Sequence, residues 1–404
     1  MAKKILVFTN HYFPENFKIN DIVNHFDDKE YFVNVITGIP NYPSGKFFPN
    51  YGYLKKSKEV KGNIKIRRLP LIPRGKGSNF MLVLNYLSYF FSVIIYTIYL
   101  IISNKKYDLI FVHHTSPILI AISPYVYKIF NKNVKMILWD LDIWPESLEA
   151  AASIKNKKVL NIVKKLVKFL YNKFDVILVG SNSFVQIVKE RVKNIPVVYF
   201  PNWAEDIFEQ TLINKTLSKT KNLKIMFAGN IGEAQDVYSI LKLIDKCKNK
   251  HIDWIFVGDG RMKFWLEREL NLIKTVGEIK FLGNHPIQKM PCFFKEADIM
   301  LLSLKNDYIF SKTVPAKLQA YMASAKPILG MISGEAKQII LESGAGWCSD
   351  SGDIESTYND ICGILKLNKK ELIDKGIKGL NYYTQNFSKN LRFAQIDRIL
   401  RKFN

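Results

Sequence analysis

Cysteine is scarce in this chain, with four in 404 residues: Cys247, Cys292, Cys348 and Cys362. None forms a C-x-x-C pair and all lie in the second half, which excludes a disulfide framework or a cysteine zinc site and favours a reducing compartment. Histidine is also scarce. The six residues form no His/Asp/Glu cluster at metal-ligand spacing, so the expected chemistry runs without a bound metal or other cofactor. Acidic residues are also in deficit, 36 against 59 Lys plus Arg, for a net charge of +23. That surplus either reflects a lysine-rich composition or suits an anionic partner: nucleic acid, an acidic membrane surface or a phosphorylated substrate. No interleaved basic and aromatic motif accompanies it, so nucleic acid is not expected. The apolar run near the N-terminus, Ile5–Phe8, is too short for the core of a signal peptide and reads as a buried strand.

A long stretch lacks charge of either sign. Phe80 to Ser103 is apolar enough and long enough to span a bilayer. Yet Asn85, Ser88, Ser92, Tyr96 and Thr97 recur at helical spacing, and Arg74, Lys76, Lys105 and Lys106 flank it. A span here would separate the first strand from the rest of its own domain, so a buried or membrane-dipping helix is expected instead.

Elsewhere short apolar strands alternate with helical periodicity. Strands are expected at Ile5–Phe8, Phe32–Thr37, Ile64–Arg68, Leu109–His113, Lys135–Trp139, Val176–Gly180 and Val197–Phe200. Residues 205–222 are polar and weakly periodic, and the alternation then restarts at Lys224–Ala228. This is an α/β pattern of two Rossmann-like domains, 1–204 and 223–385, joined by that linker. Residues 386–404 are expected as a C-terminal helix returning to the first domain. Ligands of such sheets bind beyond the carboxyl ends of the strands, so two facing domains would share one cleft.

The second half carries the more informative loops. One strand runs into Gly229-Asn230-Ile231-Gly232-Glu233-Ala234-Gln235 and another into Gly258-Asp259-Gly260-Arg261. Glycine lets phosphate approach the backbone, though a plain strand-to-helix turn has the same look. Ser311-Lys312-Thr313-Val314-Pro315 then opens a helix that continues Ala316-Lys317-Leu318-Gln319. A helix start with proline and two lysines suits an anion, and Gln319 is expected to reach a sugar hydroxyl.

The order AGNIGEAQ, FVGDG, FLGNHP, EADIMLLSL, TVPAKLQAYMASAKPIL, GEAKQIILESGAGW resembles the nucleotide-sugar half of family 4 glycosyltransferases. Within it, the chain resembles bacterial polysaccharide enzymes that transfer N-acetylated amino sugars such as N-acetyl-L-fucosamine. HYFPE, DIWPES and FPNWAE sit where those enzymes carry first-domain landmarks, so the resemblance covers almost the whole chain. It implies the GT-B fold, a UDP-sugar donor and retaining transfer. In that family two glutamates frame the donor; here their positions read Ser311 and Gln319. An Arg and a Lys usually hold the diphosphate, and here Asn230 and Gln235 stand in their places. The resemblance therefore shifts the burden of charge to Lys312, Lys317 or Arg261, with backbone amides around Thr313, Val314 and Pro315. In the first domain Asn16 and Lys18 occupy the loop that abuts the diphosphate. Asp142 matches the strand-end carboxylate or histidine near sugar and acceptor, although a helix-capping role would suit it too. His114 is a second catalytic candidate, with His113 and Glu146 on the acceptor side.

The expected function is retaining transfer from a UDP-sugar to a lipid-diphosphate-linked or saccharide acceptor, in bacterial surface polysaccharide (O-antigen, lipopolysaccharide or capsule) synthesis. The expected place is the inner face of the cytoplasmic membrane, bound peripherally to its anionic surface. The rivals are a UDP-sugar epimerase on the same fold and an inactive or non-enzymatic basic binding protein.

Overall fold

A computed structural model describes residues 3–75, 78–152, 156–209 and 222–403. Lys76, Lys155 and most of the expected linker, 210–221, lie outside the described residues. The chain divides into two compact units, Met1–Phe200 with Ile396–Asn404, and Pro201–Gln395.

The first unit is built on β1 (Lys4–Thr9), β2 (Phe32–Gly38), β3 (Lys58–Lys61), β4 (Ile64–Leu69), β5 (Leu109–His114), β6 (Lys135–Asp140), β7 (Val176–Val179) and β8 (Val197–Tyr199). The order is β3-β4-β2-β1-β5-β6-β7-β8, parallel except for the β3–β4 pair. The central strands are apolar on both faces because helices cover both, the condition parallel sheets require. Ile5, Leu6, Val7 and Phe8 are all fully buried, each contributing about 1.5–3 kcal/mol by transfer from water. The sequence reading missed β3. Its Lys-Glu-Val-Lys pattern is that of a charged edge strand, which resists further pairing and carries no apolar alternation.

The second unit has β9 (Leu223–Ala228), β10 (Ile252–Val257), β11 (Ile279–Gly283), β12 (Ile299–Ser303), β13 (Ile328–Met331) and β14 (Gly346–Ser349), in the order β11-β10-β9-β12-β13-β14. All pairs are parallel. Two helices that close the unit, Ile354–Ile364 and Lys369–Asn386, also escaped the sequence reading. Their apolar positions are interrupted by Asn, Asp, Gly and Lys. The last helix, Lys389–Arg401, ends in the first unit: Lys3 Nζ donates to Leu400 O at 3.1 Å, and His25 Nε2 meets Asp397 Oδ1 at 2.9 Å.

The uncharged stretch is one helix, Asn79–Ile102, capped by the Ser78 hydroxyl. Its polar side faces inward. Asn85 Nδ2 donates to Ile72 O at 2.6 Å, Ser92 Oγ to Pro70 O at 2.7 Å and Tyr89 OH to Thr9 O at 2.7 Å. Its apolar side faces outward, with Phe80, Val83, Phe91, Ile95 and Ile102 all more than half exposed. Of the expected alternatives, a buried or a membrane-dipping helix, full burial is corrected: Asn85 and Thr97 are buried and Ser88, Ser92 and Tyr96 half-buried, while the apolar stripe is exposed.

Candidate donor and acceptor sites

In the second unit the loops after β9 and β10 meet closely. A Cβ on Gly258 would fall 1.9 Å from Gly229 O, and one on Gly229 would fall 2.6 Å from Lys317 Cε. Both glycines have positive φ, so this approach requires residues without side chains. Lys317 lies in the first turn of the helix Ala316–Ala323, entered through extended Pro315. Its Nζ stands 3.8 Å from the centre of the Phe227 ring. That nitrogen is buried and finds no hydrogen-bond partner among the described residues. Burial pushes its pKa down to about 7. A cation so placed lacks a counter-charge, and an anionic ligand would supply one.

The neighbouring residues behave differently from the sequence expectation. Asn230 Nδ2 donates to Gln235 Oε1 at 3.2 Å and the Gly232 N–H donates to the same oxygen at 3.1 Å. These two side chains hold the turn together where cations were the family's pattern. Ser311 ends the short helix Tyr308–Ser311, and its Oγ donates to Tyr308 O at 2.8 Å. Its carbonyl abuts Gly334, where a Cβ would come within 1.8 Å of it at φ +76°. Thr313 Oγ1 donates to Ile309 O at 2.8 Å, Val314 is buried, and Lys312 Nζ lies 5.8 Å from the Tyr308 ring centre. Arg261 is exposed. Gln319 is completely buried. With its amide nitrogen assigned by hydrogen bonding, it donates to Pro315 O at 2.9 Å and Ala316 O at 3.3 Å. The sugar-hydroxyl contact expected of Gln319 is thus corrected: its amide donates to carbonyls one turn back in its own helix and has no accessible surface.

In the first unit β5 and β6 end side by side, with His114 paired to Asp140 in register. His114 Nδ1 donates to Asp140 Oδ1 at 2.6 Å, both side chains fully buried, and the Tyr171 hydroxyl donates to the other carboxylate oxygen. The His114 Nε2 has no partner among the described residues. His113 is set likewise. The Thr9 hydroxyl donates to His11 O at 2.8 Å, so the 2.9 Å contact between His113 Nδ1 and Thr9 Oγ1 has the ring as donor. Burial, with His11 and His114 nearby, pushes the His113 pKa down to about 3.

Asp142 is half-buried. Its Oδ2 accepts from Ser116 Oγ at 2.8 Å, and Ser116 Oγ accepts from Trp144 Nε1 at 2.8 Å. Burial raises its carboxyl above the ordinary range, opposed by His114 and by the Ser116 bond. The next helix, Glu146–Ala152, begins further on, so the bond that Asp142 makes is to a serine and not a helix cap. Glu146 Oε1 pairs with Arg191 Nη2 at 2.5 Å. Asn16 is exposed, and half-buried Lys18 opens the helix Ile19–Asp28.

The sequence reading passed over a buried group beside these residues. Glu15 Oε2 accepts from His11 Nδ1 at 2.8 Å, and Glu15 Oε1 accepts the Asn41 and Tyr42 N–H groups at 2.8 and 2.6 Å. Arg74 Nη2 lies 3.0 Å from His11 Nε2. The motif HYFPE had marked the place, while Arg74 had registered only as flanking charge. Among the described residues no group of three or more His, Cys, Asp or Glu side chains could hold a metal ion.

Searches of known proteins bear on this geometry. Residues 222–366, which include the Gly229, Gly258, Ser311 and Lys317 loops, match the family model described as glycosyl transferases group 1. Sucrose-phosphate synthase from Thermosynechococcus elongatus superposes with a TM-score of 0.73 over 99% of both chains at 13% identity. The chain has the GT-B fold. Another protein of this fold, Anabaena Alr3699/HepE, crystallised in complex with UDP and glucose, gives a TM-score of 0.65 at 12% identity, covering 99% of this chain and 100% of its own. Among curated sequences, WbjE of Pseudomonas aeruginosa, named as a glycosyltransferase, is 28% identical over 243 residues. That match spans 56% of this chain and 60% of WbjE, less than two thirds of its length. WcaI of Escherichia coli (strain K12), named for colanic acid biosynthesis, is 21% identical over 336 residues, 79% of this chain and 81% of its own. In GT-B terms, the unit that matches the family model is the one that carries the isolated Lys317.

Proposed function

We propose that this chain is a retaining glycosyltransferase that moves a sugar, of the N-acetylated amino-sugar class, from a UDP-sugar to an acceptor hydroxyl in surface polysaccharide synthesis. The observation that carries the reading is Lys317: a buried amino group with no hydrogen-bond partner among the described residues, at the glycine-lined mouth of β9 and β10. It lies inside the segment that matches group 1 glycosyl transferases. The binding of UDP by HepE on the same fold supports the choice of nucleotide.

In the proposed reaction the second unit holds the donor and Lys317 meets the diphosphate charge that grows as the bond from the sugar C1 to the phosphate oxygen breaks. The acceptor oxygen bonds to C1 on the same face. Its proton passes to the departing phosphate oxygen, so configuration is retained and UDP leaves. Asp142 in the first unit is assigned to the acceptor, whose hydroxyl its carboxylate orients. His114, fully buried and bonded to Asp140 through Nδ1, acts on the site through its charge, which holds the Asp142 carboxyl down against the effect of burial. No resident cofactor enters the scheme. A ligand that binds only the folded state raises its melting temperature by mass action. UDP and UDP-sugars should therefore shift the melting curve and GDP compounds should not; equal shifts from both would contradict the choice of donor.

The same proposal places the protein on the inner face of the cytoplasmic membrane. The outward apolar stripe of Asn79–Ile102 would enter the headgroup region while its polar stripe stays bonded to the protein, a surface-lying arrangement. Basic residues near an anionic surface add about 1 kcal/mol each. Co-sedimentation with phosphatidylglycerol vesicles at low salt should capture the wild type and lose Ile95→Glu; a wild type left in the supernatant would contradict the placement.

A further inference from the structure

Arg74, half-buried, is a second cation with no carboxylate partner among the described residues. Two buried guanidiniums elsewhere in the same unit show the usual arrangement: Arg68 is held by Glu59 at 2.8 Å and Arg191 by Glu146 at 2.5 Å. Arg74 has no such carboxylate among the described residues. Its Nη2 donates to His11 Nε2 at 3.0 Å, and the rings of Tyr42 and Tyr86 each lie 5.3 Å from the guanidinium carbon. Its Nε is buried without an acceptor. The nearest carboxylate in this network, Glu15, stands beyond the His11 ring, with both oxygens engaged by His11, Asn41 and Tyr42.

Two further observations say what the missing partner is. Tyr86 feels both Arg74, which lowers its pKa, and Asp142, which raises it, beneath the larger effect of burial. The guanidinium and the proposed catalytic carboxylate thus border one region of the first unit. The segment leading to Arg74 also runs along the helix Asn79–Ile102, where Asn85 Nδ2 bonds Ile72 O at 2.6 Å and the Ile72 N–H bonds Ser88 Oγ at 2.9 Å. On the same helix, beside Tyr86, Val83 and Leu87 are exposed. A guanidinium without a carboxylate and an unpartnered apolar face therefore adjoin. Guanidinium matches phosphate oxygens in a two-pronged geometry.

We propose that Arg74 binds a phosphate carried by the acceptor, and that the acceptor's apolar chain lies along the outer face of the helix Asn79–Ile102. The inference rests on the transferase reading and selects the lipid-phosphate acceptor over a neutral saccharide. The test titrates the full-length chain with farnesyl diphosphate, farnesol and inorganic pyrophosphate. All titrations use the Lys317→Met background, so that the donor site cannot supply the signal. Farnesyl diphosphate should bind at least about tenfold more tightly than either fragment. Adding Arg74→Gln should weaken farnesyl diphosphate by about 10- to 100-fold while leaving farnesol unchanged. Farnesol matching the diphosphate would overturn the phosphate site, as would an Arg74→Gln protein that keeps full affinity. Pyrophosphate matching farnesyl diphosphate would overturn the apolar half and point to a water-soluble phosphate. Should Arg74→Gln fail to fold, the three-ligand comparison on the parent decides alone. UDP binding to the wild type is read separately, so failure of the donor reading is distinguishable from failure of this one.

Discussion

Replacing Asp142 by alanine should lower turnover by about 10³- to 10⁴-fold and leave UDP affinity nearly unchanged. The asymmetry follows from where the residue stands. Asp142 belongs to the first unit, held by the Ser116 hydroxyl, which is itself fixed by the Trp144 indole. Ser116 sits at φ +72°, a conformation that non-glycine residues adopt at a cost. An arrangement of this kind is costly for a merely structural carboxylate, and it fits one that orients a substrate group. Asp142→Asn should be nearly as inactive as the alanine variant. It keeps an oxygen for Ser116 but loses the carboxylate charge. Burial raises the Asp142 carboxyl, so the acidic limb of the activity profile should fall above the ordinary carboxylate range, with activity lost as pH drops through it. Steady-state kinetics and UDP titration on the same preparations separate the outcomes. Loss of both turnover and UDP binding would assign Asp142 a structural role.

The alternation of strands and helices was plain in the sequence because the central strands are apolar for most of their length. The edge strand Lys58–Lys61 was not, since an exposed edge has no apolar face to declare it. In the second unit Lys317 was visible as a residue, but its isolation was not. That depends on Gly229 leaving room for the lysine stem and on Phe227 lying beneath the ammonium. Sequence position alone made Asn230, Gln235 and Gln319 look like ligand contacts. Asn230 and Gln235 in fact meet each other, and Gln319 meets the carbonyls of its own helix. Short amide side chains satisfy nearby backbone groups, and a motif cannot show which way they turn. Arg74 was hidden for the opposite reason. Its partners, His11, Tyr42 and Tyr86, are far apart in the chain and share no periodicity. The polar stripe of Asn79–Ile102 was legible by spacing, yet only the fold reveals that it faces inward.

Lys317→Met should weaken UDP binding by about 10- to 100-fold, the usual scale for a charge-assisted contact to phosphate. The substitution keeps the apolar stem over Phe227 and removes only the charge, so the variant should fold and melt as the wild type does or slightly higher. Lys317→Arg should not restore affinity fully, because a planar guanidinium does not fit the space that Gly229 leaves for the lysine stem. The sign of the pH effect is fixed by the direction of the shift. In the free protein burial holds the Lys317 pKa down at about 7, whereas an unfolded lysine titrates near 10.4. Between those values the unfolded chain binds more protons than the folded one, so this residue makes stability rise with pH across that window. Diphosphate beside the ammonium would favour its charged form and raise the pKa again.

The decisive measurement is therefore the proton balance of UDP binding to the full-length chain, by titration calorimetry at about pH 8 in buffers of different ionisation enthalpy. Binding against Lys317 requires the wild type to take up close to one proton, to bind UDP less tightly as pH rises above that point, and to lose the uptake in Lys317→Met. UDP binding with no proton uptake, or with the same uptake in Lys317→Met, would contradict the proposed donor site.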